Sequence, residues 1–580
     1  MNNDLNYPWD LDSLFIKTNK YLKNAESLNT KKAINVQFLG GYTSNLLNNW
    51  SKIFCCHYNV KINIKESLWG PAFSQTKVMD NTDLFICLNT SHDFVNSDGR
   101  NINNFSIKIL KDYYFQLIST ASKNGKHVIC TFFDTQAINF PSLNNKNDLN
   151  YKCYKLNSFL NEISKKFNNI TLISIDSLSG FSEKIVFSKY TDWYNFGQFL
   201  SYEGSILLAH KISRTIVSLT GGAKKVLIVD LDNTLWGGII GDDEINNLRI
   251  GQETAAGRMY LDIQKYILQL KRRGVLLAIV SKNNYNVAKK GFLHPHSILK
   301  WSDFIVKKIN WDAKSKNIIE ISKILNLGVE SFVFLDDNPS EREEVKLSLP
   351  MITIPDCGDN PEDFLAALSI MEPFNTLSSL TKEDISRNQI YKKNIDRNKF
   401  KLSSIDNSSF LKNLKIKIHI QTAKKKDVKR VCQLNNKTNQ FNFTGIKFTE
   451  GEVLDKIQNK SNKVFLANVS DKFGNHGITT IIFIKVEKDI AIIENWVMSC
   501  RIFGKNIEYA FFQHIFNDLK RNNITTIKGN YFQTNKNSVI SQLYKSLNFK
   551  KLKKNTYTLT INLFSNKNLV KHYCEITNEK

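Results

Sequence analysis

From residue 33 onward the chain alternates short apolar runs with longer stretches whose apolar residues recur every three or four positions. The short runs Ala33–Leu39, His127–Phe133 and Ile170–Ile175 predict strands buried on both faces, which have no polar side to display. Phe105–Ser122, Lys155–Phe167 and Ser205–Leu219 predict amphipathic helices. Gly221-Gly222 punctuates the pattern. A second alternation follows: strand Lys225–Asp230, helix Thr254–Arg273, strand Val275–Ser281, helix Ser315–Leu325 and strand Ser331–Asp336. Strands separated by helices of this length need crossover connections and therefore parallel sheets. Pro350, Pro355 and Pro361 mark the far edge of this block. Thr381–Lys401 is a polar, helical connector, and a last α+β block runs from about Leu414 to Asn562. The predicted fold class is α/β and multidomain. Two parallel-sheet domains over residues 1–220 and 221–375 are followed by a helical linker over 376–412 and an α+β domain over 413–580.

Composition sharpens this picture in three ways. A chain of 580 residues is too long for one core, and 42% hydrophobic with 23% charged residues describes an ordinary globular protein. No basic segment followed by an apolar run opens the sequence, and the longest apolar runs, such as Val226–Val229 and Val275–Val280, have strand length. Neither a signal peptide nor membrane insertion is expected. Nine cysteines without a Cys-x-x-Cys pair argue for a reducing compartment, hence a cytoplasmic location, and against a disulfide framework or zinc ribbon.

Charge narrows the partners. Lys plus Arg total 79 against 54 Asp plus Glu, a net charge of +25 that attracts nucleic acid, an anionic membrane face or an acidic protein. The densest basic run is Lys424-Lys425-Lys426-Asp427-Val428-Lys429-Arg430, on a predicted helix. Zinc-finger spacing, an RNA-binding aromatic signature and a basic zipper are all missing from the sequence, which favours compositional bias with an acidic protein partner over nucleic acid.

The sharpest chemistry lies in the second block. Asp230 and Asp232 directly follow a buried strand, Asp336-Asp337 follow another, Ser281 ends a third, and Lys314 opens a helix after Asn310-Trp311. In a parallel sheet the carboxyl ends of strands are where ligands bind. Carboxylates, a hydroxyl and an ammonium converging there predict a phosphoryl-transfer site with Mg²⁺, which takes hard oxygen ligands and offsets the mutual repulsion of the acids. Any one of these aspartates alone reads equally well as a helix cap or turn residue; the four elements in this order carry the argument.

Asp230-Leu-Asp232-Asn-Thr234, Ser281, Lys314 and Asp336-Asp337 resemble the four motifs of the haloacid dehalogenase superfamily of phosphotransferases. The resemblance implies that Asp230 attacks phosphorus, Asp232 acts as general acid and then base, and Ser281 and Lys314 stabilise the phosphoryl oxygens. It also implies a Mg²⁺ site at Asp230, Asp232 (through its backbone carbonyl) and Asp336, with Asp337 beside them. Lys316 is the alternative for the lysine role. The longer segments Asp230–Gly241, Ser281-Lys-Asn283, Ile309-Asn-Trp311 and Phe334–Arg342 resemble the FkbH type, subfamily IIIC. That family is associated with loading a glyceryl unit from 1,3-bisphosphoglycerate onto an acyl carrier protein.

In the C-terminal block, Thr438–Phe443, Asp471–Gly477 and Trp496–Asn506 stand out. Arg501-x-x-Gly504 resembles the phosphate loop of GCN5-related N-acetyltransferases, and Asn537, Tyr544 and Phe549 resemble that fold's closing segment. The resemblance implies that Arg501, Gly504, Asn537 and Tyr544 bind a cofactor. Asn506 replaces the loop's usual third small residue, so the phosphopantetheine arm of a carrier protein is expected as readily as coenzyme A. Cys500, just before this loop, is read either as a thiolate carrying an acyl thioester or as a core cysteine. His476 is read as a base or a loop histidine, and Tyr544 as an acid or a core residue.

The N-terminal block resembles the SGNH-hydrolase-like module that precedes many FkbH-type domains. It lacks a Gly-Asp-Ser motif, and Asp192 and His210 are eighteen residues apart, so a degenerate docking module is expected. Gly40-Gly41-Tyr42-Thr43-Ser44 is a candidate oxyanion-type turn, and His294-Pro-His296 reads as a turn or a metal site. The expected protein strips phosphate from a phosphorylated small molecule, an acyl phosphate, and passes the acyl group to an acyl carrier protein. Mg²⁺, Ser281 and Lys314 are expected to hold the phosphate end while the acyl end faces a thiol. The alternatives are a plain phosphatase with a non-catalytic C-terminal recognition domain, and a non-enzymatic assembly protein.

Overall fold

The computed structural model describes residues 3–29, 33–40, 43–66, 81–90, 107–133, 149–175, 189–358, 361–374, 377, 380–402, 406–534, 536–561 and 571–578. They divide into two compact units, Met1–Lys224 with Pro355–Leu380, and Lys225–Ile354 with Thr381–Lys580.

The first unit is built on a five-stranded sheet. Its strands are β1 (Ala33–Leu39), β2 (Lys61–Glu66), β3 (Leu84–Cys87), β4 (His127–Thr131) and β5 (Ile170–Ile173), in the order β2-β1-β3-β4-β5 and parallel throughout. Helices Asn45–His57 and Tyr202–Leu219 pack against one another through a core containing Trp50, Phe54, Ile206 and Ile212. The domain edge expected at residue 375 lies elsewhere. Ile370 of the helix Pro361–Met371 is packed into this same core, and the buried Arg214 donates to the carbonyls of Glu372 (2.9 Å) and Pro373 (2.8 Å). A buried guanidinium without those acceptors would be strongly destabilising, so the segment is held to this unit.

The second unit carries two sheets. In the first, β6 (Val226–Val229), β7 (Leu276–Ser281), β8 (Phe304–Ile309) and β9 (Phe332–Leu335) form a parallel sheet in the order β8-β7-β6-β9. Every residue of β6, β7 and β9 is buried, as their apolar composition requires. The second sheet has eight strands: β10 (Lys417–Thr422), β11 (Asn462–Asp471), β12 (Gly474–Glu487), β13 (Ile490–Met498), β14 (Thr526–Asn530), β15 (Lys550–Lys553), β16 (Thr556–Thr560) and β17 (Glu575–Asn578). Their order is β15-β16-β14-β13-β12-β11-β10-β17; the β13–β14 and β10–β17 pairs are parallel and the others antiparallel. The helix Ile507–Arg521 makes the crossover between β13 and β14.

The connector contains the helix Arg387–Leu402, and its N-terminal end is fastened to the four-stranded sheet's domain. Arg387 donates to the carbonyl of Gly274 (3.0 Å), a residue at φ +88° where an added Cβ would stand 2.0 Å from the carbonyl oxygen of Asp384. Only glycine permits both the left-handed backbone and that approach.

Candidate active site

Strand register builds the acidic cluster. Val229 pairs with Leu335, so Asp230 and Asp336, the next residues in each strand, emerge side by side at the carboxyl end of the sheet. The Asp230 amide donates to the Leu335 carbonyl at 2.9 Å. One carboxylate oxygen from each of Asp230, Asp336 and Asp337 lies within 4.8 Å of the others. Lys314, the first residue of the helix Lys314–Leu325, projects its ammonium between them, 2.5 Å from Asp336 and 3.2 Å from Asp230. Burial opposes the charge on Lys314, but the two carboxylates overcome it and hold the ammonium above its ordinary range. Burial and the neighbouring charge of Asp230 push both Asp336 and Asp337 up. Three clustered carboxylates against one ammonium leave an excess of negative charge in a buried place, and hard oxygen donors of this number fit a divalent cation.

Second neighbours fix this geometry. Arg342 donates to the carbonyls of Asp336 (3.0 Å) and Asp337 (2.7 Å), and the Thr234 hydroxyl donates to Asp337 at 3.2 Å. Ser281 is buried at the end of β7, beside β6. The carboxylate of Asp232, whose backbone carbonyl and not its side chain is expected at the metal, has its own network. It accepts from Trp236 Nε1 (2.9 Å), the Ile240 amide (3.1 Å) and Asn283 (2.9 Å). Its side chain is therefore outside the three-carboxylate cluster, and burial raises its pKa, which suits a proton donor. Asn283 and Trp236 lie within the quoted motifs, but periodicity gives no sign that they would meet Asp232. Lys316 is excluded from the lysine role, for it is exposed and paired with Asp312 at 3.3 Å.

Cys500 lies at the other end of the same sheet. Lys225, which directly precedes β6, is an electrostatic neighbour of Cys500, whereas Asp230 directly follows β6. The helix that begins at Lys314 ends at Asn326, whose amide donates to the Cys500 carbonyl at 2.8 Å. Twelve helical residues span about 18 Å. The expectation that one small acyl phosphate touches both Lys314 and the thiol is thereby overturned: a sheet separates them.

Cys500, Arg501 and Gly504 line an open pocket of about 560 Å³, mouth included, together with the end of the Lys314–Leu325 helix and the connector helix. The Tyr391 hydroxyl is a hydrogen-bonding neighbour of the Cys500 thiol. His476 is not at this thiol. It is buried, its Nε2 3.0 Å from Asp471 Oδ2, and burial lowers its pKa to about 4. Asp471 in turn receives both arms of Arg397 at 2.7 Å.

Asn537 and Tyr544, expected at a cofactor, are built into the core. Asn537 donates to the carbonyls of Asn442 (2.8 Å) and Phe532 (2.9 Å) and accepts from the Thr534 amide (2.7 Å). Tyr544 is sealed among Phe443, Phe549 and Tyr557, and burial raises its pKa, so it is not placed to act as an acid. The Thr438–Phe443 segment has a related role. β13 and β14 pair only as far as Ile493 and Gly529, and beyond that point Phe443 lies between them, its amide donating to Trp496 (3.2 Å) and its carbonyl accepting from Phe532 (2.8 Å). The Asn506 side chain donates to the Lys571 carbonyl at 3.0 Å, engaging the C-terminal segment at the start of the helix Ile507–Arg521.

The remaining candidates have structural partners. Arg430 of the basic run is bonded to the Ile478 carbonyl (2.8 Å). His296 is 3.2 Å from Glu253, and His294 accepts from the His296 amide. In the N-terminal unit His210 is buried against Trp9, Phe54 and Tyr58, with its Nε2 2.9 Å from the Tyr58 hydroxyl rather than on Asp192. The Thr43 amide is spent on the Gly197 carbonyl, and Gly41 and Tyr42 lie outside the described residues.

No family model matches the chain, and no curated protein does. Among solved structures, the chain is similar to the N-terminal part of protein BF1531 from Bacteroides fragilis, which contains a phosphatase domain and was solved with Mg. The identity is 28% over 63% of this chain and 99% of that one, with a TM-score of 0.56. It is also similar to the ribosomal-protein-S18-alanine N-acetyltransferase of Escherichia coli, with 13% identity, 26% of this chain, 97% of that one and a TM-score of 0.21. The PaiA N-acetyltransferase of Thermoplasma acidophilum, solved with coenzyme A, matches with 14% identity, 25% of this chain, 99% of that one and a TM-score of 0.21. The chain is a multidomain α/β protein whose parallel sheets are joined to a mixed one, and over most of its length it shares the fold of a phosphatase-containing protein.

Proposed function

We propose that the protein is a Mg²⁺-dependent phosphatase of the haloacid dehalogenase type, FkbH-like, coupled to acyl transfer through Cys500. The observation that supports it most is the buried set of Asp230, Asp336 and Asp337 around Lys314 at the carboxyl end of a parallel sheet. Asp230 attacks phosphorus and carries the phosphoryl group. Asp232, held by Trp236, Ile240 and Asn283, gives its proton to the leaving oxygen and then takes one from the hydrolytic water. Ser281 and Lys314 bind phosphoryl oxygens. Asp230, Asp336 and Asp337, with the backbone carbonyl of Asp232, would hold Mg²⁺, which would supply charge neutralisation for the incoming phosphate. At the far end of the sheet Cys500 takes the acyl group as a thioester and passes it to the pantetheine arm of an acyl carrier protein, a small acidic partner that suits the +25 charge. The N-terminal unit serves as an SGNH-like docking module.

The separation of Asp230 from Cys500 gives the two steps separate places: Cys500 takes the acyl group as the acyl phosphate's own phosphate leaves, and Asp230 removes the remaining phosphate ester. The test is intact-protein mass spectrometry with Mg²⁺ and 1,3-bisphosphoglycerate generated in situ. A glyceryl-sized adduct absent from Cys500→Ala and moving to added carrier protein is expected. Asp230-dependent phosphate release with no adduct would leave the plain phosphatase reading.

A further inference from the structure

We propose that the pocket beside Cys500 is a second phosphate site, with Lys505 as its recognition residue, and that it holds the phosphoryl group of an acyl phosphate while the thiol attacks. The inference rests on Cys500 being the acyl carrier.

Three cationic side chains, Arg397, Arg501 and Lys505, line this pocket with the amides of Asn326, Asn394 and Asn398, and no carboxylate lines it among the described residues. Arg397 is committed to Asp471, and among the described residues Arg501 hydrogen-bonds through Nε, to the Ser499 hydroxyl at 3.0 Å. Lys505 is different. It is more than nine-tenths buried, and its ammonium makes no hydrogen bond among the described residues. Asp471 is 3.6 Å away, an ion-pair contact beyond hydrogen-bond length. Asp471 already neutralises Arg397, so an ammonium remains buried without a full counter-charge, a costly arrangement unless an anion arrives. Gly504 at φ +69° has no atom within 4 Å of where a Cβ would stand, so the backbone beside Lys505 is open to a ligand. The pocket therefore suits a doubly charged oxyanion.

An acyl phosphate fits better than a carrier arm. Its phosphate is one oxygen away from the carbonyl carbon, and here the cations and the thiol share one small pocket. The phosphate of a pantetheine arm is singly charged and stands a whole arm's length from its thioester. In the step, the Cys500 sulfur forms the C–S bond, the C–O bond to phosphate breaks, and its electron pair leaves with inorganic phosphate. The thiol proton departs on that phosphate.

The test uses the full chain and inorganic phosphate as probe, following carbamidomethylation of Cys500 by iodoacetamide with peptide mapping. Saturating phosphate is expected to slow the reaction at least about five-fold in the wild type and in Lys505→Arg, and less than about two-fold in Lys505→Gln. Thermal melting of the three proteins confirms that each is folded. Equal slowing in Lys505→Gln, or none in folded wild type, overturns the site. With acetyl phosphate as donor, thioester formation is expected to fall about ten-fold or more in Lys505→Gln. An unchanged rate there overturns the proposal and leaves Cys500 in its role. Lys505-dependent protection with no thioester in any protein retains the phosphate site and sinks the Cys500 reading. A pantetheine phosphodiester probe (the methyl ester of phosphopantetheine) that protects more strongly than phosphate, again through Lys505, overturns the acyl-phosphate assignment in favour of a carrier arm.

Discussion

The side-chain amide of Asn326 donates to the carbonyl of Cys500 across 2.8 Å, joining residues 174 positions apart in the chain. Asn326 sits in the left-handed conformation at the end of the helix whose first residue, Lys314, enters the carboxylate cluster. One rigid element thus has the carboxylate cluster at its start and the thiol loop at its end. Asn326→Ala should release the loop at a cost of about 1 kcal/mol. Alkylation of Cys500 should quicken while Mg²⁺-dependent phosphate release stays within about two-fold. A change in phosphate release as large as that in thiol reactivity would show that the helix transmits rather than separates.

Lys314 and Lys316 are two residues apart and should behave oppositely. Lys314→Met removes the ammonium between Asp336 and Asp230, and phosphate release should fall by about 10² or more. It also strands buried carboxylates, at a stability loss of roughly 3–5 kcal/mol without Mg²⁺ that added Mg²⁺ partly restores. Lys316→Met, on the exposed side of the helix, should leave both quantities nearly unchanged. Thermal melts with and without MgCl₂, run beside a phosphate assay, distinguish the two.

Acid stability should carry the signature of His476. Its pKa is about 4 in the folded chain against an ordinary 6.5, because burial disfavours the charged ring. As pH falls from 6.5 towards 4, the unfolded chain binds a proton that the folded chain does not, so stability drops by roughly 3 kcal/mol across that window. Above pH 6.5 the contribution is fully present. Asp471 acts at lower pH: burial opposes its charge, but His476 and Arg397 hold it below the ordinary carboxylate range, so its contribution is lost only in stronger acid. His476→Gln should flatten the denaturant-midpoint profile between pH 6.5 and 4. An unchanged slope there would reject the burial argument.

Tyr544→Phe should be silent in catalysis. The Tyr544 hydroxyl is buried with no hydrogen-bond partner among the described residues, so its removal should leave the melting temperature unchanged or raise stability by about 1 kcal/mol. A large loss of acyl transfer without loss of stability would return the residue to a chemical role.

Where the chain's own periodicity sets the structure, the sequence is a sufficient guide. The apolar runs at Val226–Val229, Leu276–Ser281 and Phe332–Leu335 are long enough only for strands, and the helices between them force a parallel sheet. Asp230 and Asp336 therefore had to emerge at one end of it, side by side once Val229 met Leu335. The partners of Asp232 were less legible, since Asn283 reaches it from another strand end, 51 residues away.

The C-terminal half shows the opposite case. Cys500, Arg501 and Gly504 read as a loop motif, but nothing in their spacing says that the end of the Lys314–Leu325 helix and the connector helix form the facing wall. Asn537 and Tyr544 carry the residue types of a binding site and became core, because Phe443 and Asn442 packed against them. By itself the sequence determined the elements, the parallel sheet and the acidic strand ends, since these follow from local periodicity and strand direction. Only the tertiary structure decided which side chains face a pocket and which are sealed, and that the thiol and the aspartates lie at opposite ends of one sheet, because contacts between residues far apart in the chain leave no periodic trace in it.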